Sequence, residues 1–265
     1  MKSKLARAVS TILAAMVALG VLAACSDGES EPLSDGFSSA SGDPAPRSDT
    51  PAGPVDVCAN TQPACMHVAD ADIDGDGTLD QVGIATSGDQ VSTIVGINGA
   101  RHEVKMEVPV SNRYAEPADI YRGAFLMSRA VGADIALHLA PGQGNAEQFA
   151  VISWDGAQLV ALPQPPTADR TGVQKPGVWY LGSSHGKRDS IKCGDPGEIV
   201  VVRLTAARSE GQPIPGGGRR EENSYTFVGN AWQPAGSNNQ ADTSFSYNWD
   251  AHQSAFQCDD QGTMA

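Results

Sequence analysis

The chain has 265 residues, with 31 acidic against 18 basic side chains and a formal net charge of −13. A field of that sign repels nucleic-acid phosphate and anionic lipid headgroups and concentrates cations, so no nucleic-acid partner is expected. Charged residues make up only 18% of the chain and hydrophobic ones 40%, which excludes a disordered acidic tail and leaves enough apolar side chain for a core.

Taken in order, the chain opens with a basic start, Lys2, Lys4 and Arg7, followed by an apolar, Ala-rich run from Ala8 to Ala24. The run is short for a membrane span and has the layout of a secretory signal. It ends Leu22-Ala23-Ala24-Cys25, which resembles the bacterial lipobox. That resemblance implies a lipoprotein signal peptide over 1–24 and a mature N-terminus at Cys25. Cys25 would carry a diacylglyceryl thioether and a further palmitate-type acyl group. Two or more chains anchor stably where one is marginal, so the expected place is the cell membrane, lipid-anchored, on its extracytoplasmic face. Losing the leader removes three basic and no acidic residues, taking the net charge from −13 to −16.

Residues 25–55 are Ser, Gly, Asp, Glu, Pro and Ala with almost no large apolar side chain. Such a segment cannot bury enough surface to offset its ordering entropy and reads as a lipidated, disordered linker, on the order of 30 Å across as a coil. What remains, 56–265, is expected to be one β-rich domain.

That domain holds four cysteines, and an even count in an exported chain points to two disulfides among three possible pairings. The expected pairs are Cys58–Cys65, a short loop ahead of the first strand, and Cys193–Cys258, which ties the C-terminus to the body. No C-x-x-C occurs, and His67, His102, His138, His185 and His252 stand singly, so no zinc site is expected.

The most informative stretch is Asp72-Ile73-Asp74-Gly75-Asp76-Gly77-Thr78-Leu79-Asp80. Four carboxylates this close repel one another unless a counter-ion intervenes. A hard divalent cation resolves the repulsion, because calcium accepts six to eight oxygens at flexible geometry. The D-x-D-x-D-G spacing assigns side-chain oxygens of Asp72, Asp74 and Asp76, the backbone carbonyl of Thr78, and Asp80 to close the site. A solvated acidic turn is the bland alternative. An EF-hand would need a bidentate Glu at the twelfth loop position and an exit helix. That position is Gly83, and the exit, with Leu79, Val82, Ile84 and Thr86 among small residues, reads as strand.

From Val68 to Ile84 the sequence resembles the calcium loop of FG-GAP or VCBS repeats, the integrin-α-like blades of many secreted bacterial proteins. The resemblance covers about seventeen residues and implies a calcium site between two strands of a propeller-like unit.

Downstream the chain reads as antiparallel β-structure. Val91 to Ile97 leads through Asn98-Gly99, the strongest two-residue hairpin signal, to His102–Val108, in which Val104, Met106 and Val108 face a core and Glu103, Lys105 and Glu107 face water. The same device recurs at Phe149–Trp154, Asp155-Gly156, Gln158–Leu162 and again at Tyr225–Val228, Gly229-Asn230, Ala231-Trp232. Further apolar runs lie at Gly123–Ser128, Ala133–Leu139, Val178–Leu181 and Ile199–Leu204, and Ala115–Arg122 has room for one or two helical turns. Many short strands with regular turns predict an all-β sandwich, barrel or propeller-like arrangement. Cys193-Gly194-Asp195-Pro196-Gly197-Glu198 before Ile199 looks like a worn copy of the acidic loop. If the two are related, one corner binds metal and the other uses a disulfide.

One catalytic pattern occurs. Gly182-Ser183-Ser184-His185-Gly186 matches the G-x-S-x-G nucleophile elbow, which needs a strand before it and a helix after it, and Cys193 follows too soon for that helix. Gly216-Gly217-Gly218 lacks the lysine and serine of a phosphate loop. Trp154, Trp179, Tyr180, Tyr225, Trp232, Tyr247 and Trp249 would either pack the sheets or line a carbohydrate or peptide surface, packing being the commoner use. The sequence therefore favours a surface-tethered, non-catalytic binding module with a structural calcium, directed at an envelope protein or glycan. An extracytoplasmic serine hydrolase acting through Ser184 is the alternative.

Overall fold

The computed structural model describes residues 55–60, 65–107, 116–141, 146–167, 175–184, 186–209, 212–241 and 255–258. Residues 1–54, which include the expected leader, Cys25 and expected linker, lie outside them, as do His185, Tyr247, Trp249 and His252. All described residues belong to one compact unit. The fold is all-β, as the turn spacing predicts, and its open antiparallel sheets make it sandwich-like rather than a closed barrel.

Four strands form an up-and-down sheet in sequence order: β1 (Cys65–Ala71), β2 (Asp80–Ser87), β3 (Gln90–Ile97) and β4 (Ala100–Glu107). The Asn98-Gly99 turn joins β3 to β4 with both residues at positive φ, 50° and 74°. That primed geometry matches the right-handed twist of the strands, and only Asn, Asp and Gly adopt it cheaply. In β4 the expected alternation holds: Met106 is buried, Val104 packs against the core, and Glu103, Lys105 and Glu107 are exposed. Val108 lies outside the described residues.

After a single 3-10 turn at Pro117–Asp119 come β5 (Tyr121–Phe125), β6 (Asp134–Pro141), β7 (Ala146–Trp154), β8 (Leu159–Ala161), β9 (Trp179–Ser184), β10 (Lys187–Cys193), β11 (Glu198–Ser209), β12 (Gln212–Val228), β13 (Ala231–Ala241) and β14 (Phe256–Gln257). They make a second sheet in the order β13-β12-β11-β10-β9-β7-β6-β5, with β8 on β7 and β14 parallel to β10. The long polar arms of β12 and β13 go well beyond the short hairpin that Tyr225–Trp232 predicts.

The strands β5 to β7 are buried on both faces, and a period of two sorts their side chains between two cores. Ala124, Ile135, Leu137, Leu139, Ala150 and Ile152 meet Val82, Ile84, Val95 and Ile97 of the first sheet. Phe125, Ala136, Phe149 and Val151 face the other way, against Trp179, Ile191, Ile199, Val201, Tyr225, Trp232 and Phe256. This two-sided burial is why Ile135-Ala136-Leu137 is apolar at successive positions instead of alternating with polar residues. The indole N–H groups of Trp179 and Trp232 donate to the carbonyls of Leu162 (3.0 Å) and Pro163 (2.8 Å), so both rings are core pieces with satisfied polar ends. The disulfides Cys58–Cys65 and Cys193–Cys258 form as expected.

One hairpin expectation needs correction. Trp154 pairs with Leu159, so the Asp155-Gly156 turn is a four-residue loop, not a two-residue one. The Asp155 carboxylate sets it by accepting the N–H groups of Ala157 (2.9 Å) and Gln158 (2.8 Å). Those two bonds also hold its carboxyl below the usual range. The G-x-S-x-G stretch is likewise a hairpin: Ser184 pairs with Lys187, and β10 stands where a nucleophile elbow needs a helix.

Candidate metal centre

The acidic loop joins β1 to β2, and Ile73 explains how it holds its shape. Its side chain is completely buried in the core with residues of both sheets, which anchors the loop between the flanking Asp72 and Asp74. Backbone donors then fix the carboxylates. Asp72 accepts the N–H groups of Gly75 (2.7 Å) and Gly77 (3.0 Å), and Asp80 accepts that of Ile73 (3.0 Å). Asp74 accepts from the N–H of Asp76 (3.1 Å) and from the side-chain amide of Asn98 (3.0 Å), so the β3–β4 turn buttresses the loop.

Asp72, Asp74 and Asp80 converge: one oxygen from each lies within 4.8 Å of the others. Two oxygens on one calcium ion at 2.3–2.6 Å are at most about 4.6–5.2 Å apart, so this group of three can hold a metal ion. Asp72 and Asp80 are buried and Asp74 half-buried. Asp76 and Thr78 are exposed and stand outside the group of three; the Asp76 carboxylate accepts the Thr78 N–H (2.6 Å). Burial, reinforced by the charges of Asp74 and Asp76, pushes the Asp80 carboxyl up to about 6, against the pull of the Ile73 and Asp74 N–H groups. The loop is thus electrostatically strained in the way that a bound cation relieves.

A second loop, residues 126–133, holds this corner from behind. Ala133 N–H donates to the Asp72 carbonyl (2.7 Å), and Arg129 Nη2 donates to the Ile73 carbonyl (2.9 Å). Gly75 and Gly132 meet back to back at positive φ: a Cβ on Gly132 would lie 2.9 Å from the Ile73 oxygen, and one on Gly75 3.1 Å from the Gly132 nitrogen. Neither glycine has space for a side chain.

Asp74 also forms part of the wall of a pocket of about 680 Å³. The Asp155-Gly156 and Gly229-Asn230 turns line it, so all three hairpin signals of the sequence end up around Asp74. Its apolar wall includes Trp154, Leu162 and Phe227, and Ser128, Arg129 and Ser153 supply polar groups. Beneath it the wholly buried Asp134 accepts the N–H (2.6 Å) and hydroxyl (2.9 Å) of Ser128, and burial raises its carboxyl pKa against those bonds and one from Ser153. Arg129, Asn98 and this floor escape sequence reasoning because each acts across a long stretch of chain; Asn98 shows in the sequence only as a turn residue.

Among the described residues the other aromatic candidates pack, and the histidines have local partners. Trp179, Tyr225 and Trp232 belong to the core, and Tyr180 packs against it. His67 bonds Asp70 (2.9 Å), His102 meets the Trp154 ring edge-on, and His138 stacks on Phe149. No protein-family model, curated protein or solved structure matches this chain.

Proposed function

We propose that this protein is a calcium-binding module, tethered by lipid at Cys25 to the extracytoplasmic face of the cell membrane. It acts without catalysis, binding an envelope protein or glycan. The observation that carries the reading is the convergence of Asp72, Asp74 and Asp80, each already oriented by backbone N–H donors. Calcium is favoured over magnesium by the Val68–Ile84 resemblance to FG-GAP and VCBS loops and by an all-protein oxygen cage, which calcium takes more readily than magnesium. The ion's role is structural: it neutralises the carboxylates and locks β1 to β2. The leader and the Leu22–Cys25 lipobox support the anchor, and the acidic surface argues against nucleic acid.

Melting the full chain in detergent, with calcium or with chelator, tests the ion. At a calcium concentration a hundred times the dissociation constant the site adds about 2.7 kcal/mol, a rise of roughly 5–10 °C for a domain of this size. Asp74→Ala abolishes that rise, and superimposable curves for the unaltered chain would refute the site. Cys25→Ser moves the protein from the membrane fraction to the soluble one with its melting temperature unchanged.

A further inference from the structure

We infer that the end of the molecule bearing the acidic loop docks on the membrane to which the chain is tethered. Leu79, Val131 and Val228 enter the lipid interface there, and the bound cation meets anionic headgroups. The inference rests on the metal and anchor readings above and adds the surface on which they act together.

Among the described residues the exposed large hydrophobic side chains are Leu79, Val131 and Val228, at 47%, 67% and 61% exposure. Such residues scattered singly are ordinary, but these three gather at one place. Leu79 lies in the ion loop between Thr78 and Asp80. The Val131 main chain abuts the same loop, its carbonyl carbon 3.2 Å from where a Cβ on Gly75 would stand. Val228 is flanked by Phe227 and Gly229, which share a pocket wall with Asp74. All three sit on or beside turns, so they form separate aliphatic points, a shape that suits entry into a soft apolar layer.

The path of the chain into the domain turns the same end toward the bilayer. Val57 packs on Gly83 and Val55 on Gly96, 2.9 Å and 3.0 Å from where Cβ atoms on those glycines would stand. Gly83 is paired with Ile94 in mid-sheet, whereas Gly96 is paired with Gln81, next to Asp80. Gly96 also lies two residues before Asn98, which bonds Asp74. Followed backwards from Val57 to Val55, the main chain therefore moves toward the acidic loop, and the connection to Cys25 enters at that end. A coil of that length spans on the order of 30 Å, so the loop end is held within reach of the lipid. The opposite turn of the same sheet, Ser87-Gly88-Asp89-Gln90, is exposed and carries no apolar side chain.

The cation makes docking conditional. Without it, Asp72, Asp74, Asp76 and Asp80 repel anionic headgroups. Even with Asp76 and the Thr78 carbonyl drawn in, one oxygen from each of the loop's candidate ligands falls short of the six to eight that calcium takes, which leaves room for phosphate oxygens of the lipid. Linkage then requires anionic lipid to tighten calcium binding by the factor with which calcium favours docking.

The test uses the lipidated full chain in vesicles, with an environment-sensitive NBD label on Val131→Cys at the loop end or on Asp89→Cys at the opposite turn. The vesicles are phosphatidylcholine alone or an equal mixture with phosphatidylglycerol, each with calcium and with chelator. The expected result is a blue shift and brightening of the Val131→Cys label in the mixed vesicles with calcium only, and no change in the Asp89→Cys label. No response, an equal response in chelator or in neutral vesicles, or an equal response from both labels would overturn the inference. Calorimetry on the same chain in detergent keeps the two readings apart. Calcium heat without a label response overturns docking and leaves the metal site standing, whereas no calcium heat sinks the metal site and the cation's part in docking with it. Adding Leu79→Ser and Val228→Ser to the labelled Val131→Cys chain should keep the calcium heat and lower the docked-to-free ratio about tenfold. An unchanged ratio overturns the role of the aliphatic points.

Discussion

Two corners of this molecule are built alike and closed differently. At Asp72–Asp80 an acidic, glycine-rich turn feeds β2; at Cys193–Glu198 another feeds β11. Both lean on the same loop, residues 126–133: Ala133 N–H donates to the Asp72 carbonyl, and Gly197 N–H donates to the Leu126 carbonyl (3.0 Å). The first corner gathers three carboxylates, whereas the second is pinned by the Cys193–Cys258 disulfide. On the proposed reading an ion closes the first corner reversibly, in response to calcium and protons; the disulfide closes the second covalently and responds only to redox conditions. One shared loop thus connects a cluster of carboxylates with a covalent link.

The largest effect should come from breaking the covalent corner. Replacing Cys193 and Cys258 together by Ser opens a span of 65 residues and costs about 4 kcal/mol in a denaturant melt, equally with calcium and with chelator. If the loss depends on calcium, the corners are not independent. The ionic corner behaves in the opposite manner at Asp80. Its folded-state carboxyl pKa is raised to about 6 from 3.8. The associated stability is therefore complete below about pH 4 and lost as pH rises through 6. In chelator the melting temperature should fall over that interval. In saturating calcium the trend should reverse, because protons then compete with the ion. Asp80→Asn should flatten the chelator profile, and a slope unchanged by that substitution would show that Asp80 is not its source. The smallest effect separates the two ends of the shared loop. Gly132→Ala forces a side chain against the Ile73 carbonyl at positive φ, costing about 1–2 kcal/mol and weakening calcium binding. Gly197→Ala crowds Arg129 and Ala130 instead and should cost as much stability while leaving the calcium isotherm in place.

What was legible in the sequence is local. The all-β class, the Asn98-Gly99 register, both disulfide pairs and the convergence of Asp72, Asp74 and Asp80 all rest on residues whose spacing or chemistry speaks for itself. Arg129 gave no signal, because nothing near it in sequence reveals that its partner is the carbonyl of Ile73, 56 positions away. The long arms of β12 and β13 were also hidden. Arg219–Asn223 carries no apolar alternation, and these residues are held in the sheet by main-chain pairing to β11 and β13, to which side-chain pattern is blind. The Asp155 loop misled for a related reason: a D-G pair fits a two-residue turn, and here the carboxylate captured two backbone N–H groups and made a longer one.

The strands β6 and β7 serve as a party wall between two hydrophobic rooms, with Ile135 and Leu137 furnishing one side and Phe149 and Val151 the other. Neither room can be emptied while its neighbour stays dry. Loosening at the Asp72–Asp80 end therefore travels through the partition, and the body should come apart in one step, with the backbone amides of this strand pair the last to exchange with heavy water.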